Sequence, residues 1–172
     1  QLAIQLAKLK GATVITTVGS EEKAEIAKNL GADHIILYRE LDFQKEVMRI
    51  TENQGVNVVF DSVGKDTIDR SIRCLQKRGL CVMFGASSGQ VAGIAPLALA
   101  EAGSIYFTRP HLADYIPNAE VINQRMGEIF SLISAGKLRV SIHDVYQLSE
   151  IQKVHELLES RATLGKFILK VA

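Results

Sequence analysis

At 172 residues, 47% hydrophobic and 23% charged, the chain is long enough for one ordinary core, or one domain and part of a second. Its 20 basic and 19 acidic residues give a net charge of +1 with no long block of like charge, which argues against a nucleic acid or an anionic membrane as partner. Cys74 and Cys81 have no metal-ligand spacing and fit a reducing compartment.

The sequence opens on QLAIQLAKLK, whose apolar residues share a helical face although no N-cap or turn precedes them, so the chain reads as cut at the first turn of a helix. The β-branched run TVITTV (13–18) predicts a strand. Ser20 caps a helix through EEKAEIAKNL that Gly31 ends, and HIIL (34–37) is a short apolar strand. A helix is expected near 42–53, a strand at 56–61, a helix near 66–75, and strands at 80–84 and 104–108. After Arg109-Pro110 the rhythm changes to a helix over 118–135, a helix over 149–160 and a final strand, KFILKV. Alternating strands and helices predict an α/β fold, a Rossmann-like doubly wound parallel sheet whose strands are apolar throughout because both faces are covered. No apolar run approaches the ~20 residues of a membrane span and no leader pattern opens the sequence, so a soluble, cytoplasmic protein is expected.

Such a sheet binds ligands outside the carboxyl ends of its strands. The loops to inspect are therefore 19–23, 38–40, 61–65, 84–89 and 108–110. In TTVGSEEK the strand ends in Gly19-Ser20 without the acid that would accept from the 2′-hydroxyl of NAD, and Lys23 is the nearby cation, a pattern that suits the 2′-phosphate of NADP. A capped helix with surface charges reads the same. Tyr38 and Arg39 place a ring and a cation after HIIL, where a strand-closing tyrosine above a surface ion pair is the simpler account. In DSVG, Asp61 can take a backbone or hydroxyl bond while Gly64 lets the chain turn, and in FGASSG, Gly85 and Gly89 permit close backbone approach. His34, His111, His143 and His155 are scattered without ligand spacing, and Ser87 and Ser88 lie in no nucleophile elbow.

The runs FDSVGKDTIDRSIRCLQKRGLCVMFGASSG, GSIYFTRP and LLESRATLGKFIL resemble the zinc-independent NADPH:quinone oxidoreductases, the ζ-crystallin-like branch of the medium-chain dehydrogenase/reductase superfamily. The resemblance runs the length of the chain and corresponds to the C-terminal half of such an enzyme, with the first strand and the glycine-rich pyrophosphate loop preceding Gln1. It implies residues 1–110 as a truncated NADP-binding domain and 111–172 as a part associated with the substrate domain. Gly19 and Lys23 then match 2′-phosphate contacts, Tyr38 an adenosine-side tyrosine, and Ser20 is a further cofactor-binding residue. The run Phe84, Gly85, Ala86 and Ser87 matches the loop by the nicotinamide half, Phe107, Thr108 and Arg109 the segment after the sixth strand, and Arg161 a late cofactor-reaching arginine, with Val63 a further cofactor-binding residue. Ala86 departs from an Asn common in the family, which leaves the backbone contacts there in place. The implied activity is hydride transfer from NADPH to a quinone or enone by a homodimer, with no metal ligand and no catalytic side chain identified in this half. Loss of a central strand would leave its two neighbours without a common partner, so the chain alone is expected not to turn over quinone. The competing readings are a zinc-type alcohol dehydrogenase or enoyl reductase of the same superfamily, and a non-catalytic nucleotide- or RNA-binding module.

Overall fold

The computed structural model describes residues 1–160 and 163–171. The chain divides into two units, Gln1–Ile35 with Asn123–Ala172, and Ile36–Ile122.

The first unit begins with α1 (Leu2–Leu9), followed by β1 (Ile15–Val18) and α2 (Glu21–Asn29). Leucine, alanine and lysine are strong helix formers, which accounts for α1 in spite of its uncapped start. The strand β2 (His34–Leu37) pairs with β1, and the division between the units falls within it. An acidic residue fastens the start of this pair. Asp33 Oδ2 accepts from Val14 N at 2.7 Å and from Lys8 Nζ at 2.8 Å, while Val14 O accepts from the N–H of Asp33 and of His34 at 3.0 and 3.1 Å. The Lys8 hydrogen bond, and then the Val14 N–H, hold the Asp33 carboxyl below its ordinary range.

The later part of this unit contains most of α7 (Ala119–Ser134, numbered after the helices of the second unit), β6 (Ile142–Gln147), a 3-10 turn (Leu148–Glu150), α8 (Ile151–Glu159) and β7 (Lys166–Lys170). The strands β6 and β7 are parallel. The sequence reading contained β7 but not β6, because SIHDVYQ mixes His, Asp and Gln into its β-branched pattern. The clamp that joins α1 to the segment before β6 is a buried glutamine, 8% exposed. Gln5 Nε2 donates to Arg139 O at 2.9 Å and Gln5 Oε1 accepts from Arg139 N at 2.8 Å, so one side-chain amide satisfies both backbone groups of residue 139 as a neighbouring strand would.

The second unit contains α3 (Phe43–Ile50), β3 (Val56–Asp61), α4 (Ile68–Arg73), β4 (Leu75–Met83), α5 (Pro96–Glu101), β5 (Tyr106–Thr108) and α6 (Leu112–Tyr115). Asp42 caps α3 by accepting from Gln44 N and Lys45 N at 2.9 and 3.3 Å, a cap that contributes about 1 kcal/mol. The strands form a parallel sheet in the order β3-β4-β5. The strand β4 starts earlier than the apolar run at Leu80 indicates. Val56 faces Leu75 and Val58 faces Leu80, so the residues between them on β4 form an irregularity where Arg78 takes φ 61. Pro96 at the first turn and the Ala- and Leu-rich run behind it explain α5, which lacks the apolar periodicity that marked the other helices.

Alternation sorts the sheet residues onto two faces. One face carries Val59, Cys81, Phe107 and Met83 toward a core built from Ile68, Ile72, Leu75 and Ile105. Each large apolar side chain so buried contributes roughly 1.5–3 kcal/mol. The other face carries Val58, Phe60 and Tyr106, which stay 41%, 65% and 58% exposed. The strands are thus apolar on both faces, as read from sequence, but only one face is buried among the described residues. The sheets β1-β2 and β3-β4-β5 are separate, and β1 and β3 are each terminal strands.

Replacing Gln5 with Met keeps the volume but strands both backbone groups of residue 139. The expected loss is about 1–3 kcal/mol, read as a lower urea midpoint at unchanged m-value. An unchanged midpoint would show that the clamp adds nothing.

Candidate functional site

Two sets of residues singled out from the sequence fall in different units, and each has its own local geometry. In the first unit β1 ends at Val18 and the chain bends through Gly19 and Ser20. Ser20 is extended, at φ −159 and ψ 158, and its Oγ accepts from Lys23 N at 3.4 Å. The cap therefore brings the backbone of Lys23 against the serine hydroxyl, and Lys23 itself is half-buried in the first turn of α2 with Glu21 and Glu22. Both acids sit at the positive end of the helix dipole, which is a sufficient reason for them to be there.

In the second unit the register places the strand ends side by side. Asp61 faces Met83, and Val82 faces Thr108, so the loops after β3, β4 and β5 leave one edge of the sheet. Thr108 ends β5 half-buried, Phe107 packs against the core, and Arg109 Nη1 donates to Pro110 O at 3.0 Å. Phe84 N donates to Asp61 O at 2.8 Å, and the Phe84 ring meets Phe60 edge-on at 6.4 Å while remaining 51% exposed. Tyr38 follows β2 and is 52% exposed. Arg161 lies outside the described residues.

The loops after β3 and β4 are laced together by backbone. Ser87 N donates to Ser62 O at 3.2 Å, Ser88 N to Val63 O at 2.9 Å, and Lys65 N to Gly89 O at 3.4 Å. Ser88 adds its hydroxyl, which donates to Val63 O at 2.7 Å and accepts from Asp66 N at 3.0 Å. Two glycines make this approach close enough. A Cβ on Gly85 would lie 2.6 Å from Ser62 O, and one on Gly64, at φ 87, would lie 3.0 Å from Gly89 O. Among the described residues, the N–H groups of Gly85 and Ala86 donate to no protein acceptor, so this loop retains two adjacent backbone donors.

Beneath the loops sits Asp61, 4% exposed, at the end of β3. Its Oδ1 accepts from Val63 N at 2.8 Å and Gly64 N at 2.9 Å, its Oδ2 accepts from Ser71 Oγ at 2.7 Å, and Thr67 Oγ1 reaches both oxygens at 3.0 and 2.8 Å. From the sequence this aspartate reads as a partner for a backbone or hydroxyl group and not as a site residue. The available signal was Thr67 and Ser71, one helical turn apart and so on one face, following an aspartate that ends an apolar strand.

The two thiols belong to the core of this unit. Burial, followed by the charge of Asp42, pushes Cys74 up to about 12, and burial, followed by the charge of Asp61, pushes Cys81 up to about 11. Neither is poised to act as a nucleophile at neutral pH. Among the described residues no three His, Cys, Asp or Glu side chains gather to hold a metal ion, and no helix is long and apolar enough to cross a membrane.

Two outcomes follow from this geometry. Gly85→Ala is expected to cost about 1–3 kcal/mol, read as a lower thermal midpoint, because the added methyl meets the Ser62 carbonyl; an unchanged midpoint would show that the loops part freely. Both folded thiol pKa values are raised, so the unfolded state loses protons first as pH rises. The stability the buried thiols contribute is complete below about pH 8.5 and falls through the folded values near pH 11 to 12. A double Cys→Ala variant, compared by urea denaturation, is expected to lose that part of the alkaline slope.

Residues 1–122 match a family model described as zinc-binding dehydrogenase. Over 170 residues the chain is 46% identical to quinone oxidoreductase 1 of Escherichia coli (strain K12), covering 98% of this chain and 52% of that one. It is 39% identical over 169 residues to 2-haloacrylate reductase of a Burkholderia species, covering 98% and 51%. A crystal structure of Escherichia coli quinone oxidoreductase complexed with NADPH superposes with a TM-score of 0.93 at 45% identity, covering 99% of this chain and 53% of that one. The chain spans about half the length of the curated relatives it matches. The fold is thus the α/β, Rossmann-like architecture of those structures, and the chain belongs to the zinc-binding dehydrogenase family.

Proposed function

We propose that this chain is the cofactor-binding half of an NADPH-dependent quinone oxidoreductase. The observation that carries the reading is the pair of laced loops after β3 and β4. They meet through glycines too tightly for a side chain and retain the N–H groups of Gly85 and Ala86 as donors for a ligand. A strand-end edge bearing such donors suits an amide or phosphate acceptor of a dinucleotide. Likeness to proteins named as quinone oxidoreductases, one of them complexed with NADPH, supports the same reading.

In this reading Val63, Phe84, Gly85, Ala86 and Ser87 hold the nicotinamide side, with Phe107, Thr108 and Arg109 beside them. Tyr38 flanks the adenosine. Gly19, Ser20 and Lys23 recognise the 2′-phosphate, and the lack of an acid at the end of β1 favours NADPH over NADH. NADPH supplies a hydride for an electron-poor acceptor, a quinone or enone. The protein's part is placement and exclusion of water, which requires no acidic or basic side chain from this half. The reading is of a zinc-independent enzyme.

The proposal extends to organisation. Residues 1–110 form the NADP-binding part and 111–172 the part that associates with a substrate domain. The terminal strand β5, with Tyr106 58% exposed, is the edge through which two copies pair. Two free thiols and a near-neutral charge suit a cytoplasmic enzyme.

Titration of the intact protein with NADPH and NADH, followed by the nucleotide fluorescence, tests the reading. NADPH is expected to bind more tightly, and Lys23→Ala to weaken NADPH by about tenfold, or 1.4 kcal/mol, with NADH little changed. Absence of affinity for either nucleotide would defeat the proposal.

A further inference from the structure

The buried carboxylate of Asp61 has no stated part in the proposed reaction, yet its partners lead directly to the loop that would carry it. Both backbone donors it holds, Val63 N and Gly64 N, belong to the strand tip on which the β4 loop rests. The carbonyls of that tip, Ser62 O and Val63 O, in turn accept from Ser87 N and Ser88 N, and Val63 O also accepts from the Ser88 hydroxyl. Asp61's own carbonyl accepts from Phe84 N, the residue that opens the β4 loop. On the other side, the hydroxyls of Thr67 and Ser71 tie the carboxylate to the start and first turn of α4. One side chain thus joins a helix, a strand tip and, through the tip's carbonyls, a second loop.

A carboxylate accepts from all of these donors at once, having two oxygens and no proton of its own. An amide accepts on one atom only, so the Thr67 and Ser71 hydroxyls would have to turn from donors into acceptors to meet its NH2 group. Hydrogen bonds to an ionised acceptor are also stronger than neutral ones, and the contacts here lie between 2.7 and 3.0 Å.

We propose that Asp61 is a positioning residue that sets the height of the Gly85–Ala86 backbone donors, by locking the 62–64 tip on which the 84–89 loop is hung. This rests on the dinucleotide reading above. It touches no ligand itself. Loss of the carboxylate loosens the two loops together and lowers affinity for the nicotinamide half of the dinucleotide, beyond what an equal loss of global stability would do.

The test compares Asp61→Asn with Ile72→Val, a core change in the same unit at a residue 5% exposed, in the intact protein. Amide hydrogen exchange and NADPH affinity are the two readouts. In Asp61→Asn, exchange at Val63, Gly64, Ser87 and Ser88 is expected to speed by about tenfold or more relative to the α4 amides, with NADPH weakened by about tenfold. In Ile72→Val, any acceleration is expected to be shared by the whole unit, with NADPH affinity kept. NADPH affinity lost no further in Asp61→Asn than in Ile72→Val overturns the inference, and so does unchanged exchange in the two loops. Should the unsubstituted protein bind no NADPH, the proposed function fails on that result, and the exchange pattern alone then decides whether Asp61 positions the loops. Where Asp61→Asn does not fold, Ser71→Ala, which removes one donor and keeps the carboxylate, is read by the same measurements and the same criteria, with a smaller expected change.

Discussion

The second unit depends on one buried carboxylate, Asp61, that four donors of the chain surround. Removing a carboxylate from water costs several kcal/mol unless its lone pairs are filled. Asp61 meets that demand with two backbone N–H groups and two hydroxyls, all at 3.0 Å or less. The need is mutual. Val63 N, Gly64 N and Ser71 Oγ find their acceptor in the aspartate that ends the strand, and Thr67 Oγ1 shares it with Gly64 O. That reciprocity fixes where β3 stops, how the chain turns into α4, and which carbonyls of the turn remain to receive the next loop. The exclusion of side chains at Gly64 and Gly85 lets the two loops come within hydrogen-bonding distance.

The same device recurs elsewhere in the chain with different groups. Gln5 stands in for a strand by pairing with both backbone groups of residue 139. Asp33 holds Val14 N with one oxygen while Lys8 neutralises it. In each case a polar side chain completes a hydrogen-bond ladder that short strands leave unfinished. These strands are short, and among the described residues two of the sheets contain two strands each, so side chains provide what neighbouring strands provide in a wider sheet. The apolar face bearing Val58, Phe60 and Tyr106 marks the other consequence of narrow sheets: a parallel sheet is normally covered on both sides, and here these three residues stay exposed among the described residues.

Much of this architecture was legible in the order of residues. The caps at Ser20 and Asp42, the strands HIIL and VNVVFD, and the long helix over residues 119–134 follow from local rules, since a cap or an apolar run acts over a few residues whatever surrounds it. The strand β6 was not legible because its polar residues hide the alternation, and the early start of β4 was not because a single bridge between Leu75 and Val56 depends on a partner distant in sequence. Family likeness was legible too, through SVGKD, TRP and the run around residue 161, and it pointed to the loops that the sheet register places at one edge.

Composition and local pattern by themselves determined that this is an α/β chain with its glycines and small polar residues gathered at strand ends. They do so because propensity, capping and alternation are properties of neighbouring residues. Only the tertiary structure decided that Asp61 is the organiser of its loops, that Gly85 seats on Ser62, and that Gly85 and Ala86 keep their N–H groups unspent among the described residues. Those facts depend on hydrogen bonds and contacts between residues up to 25 positions apart, which no local signal encodes.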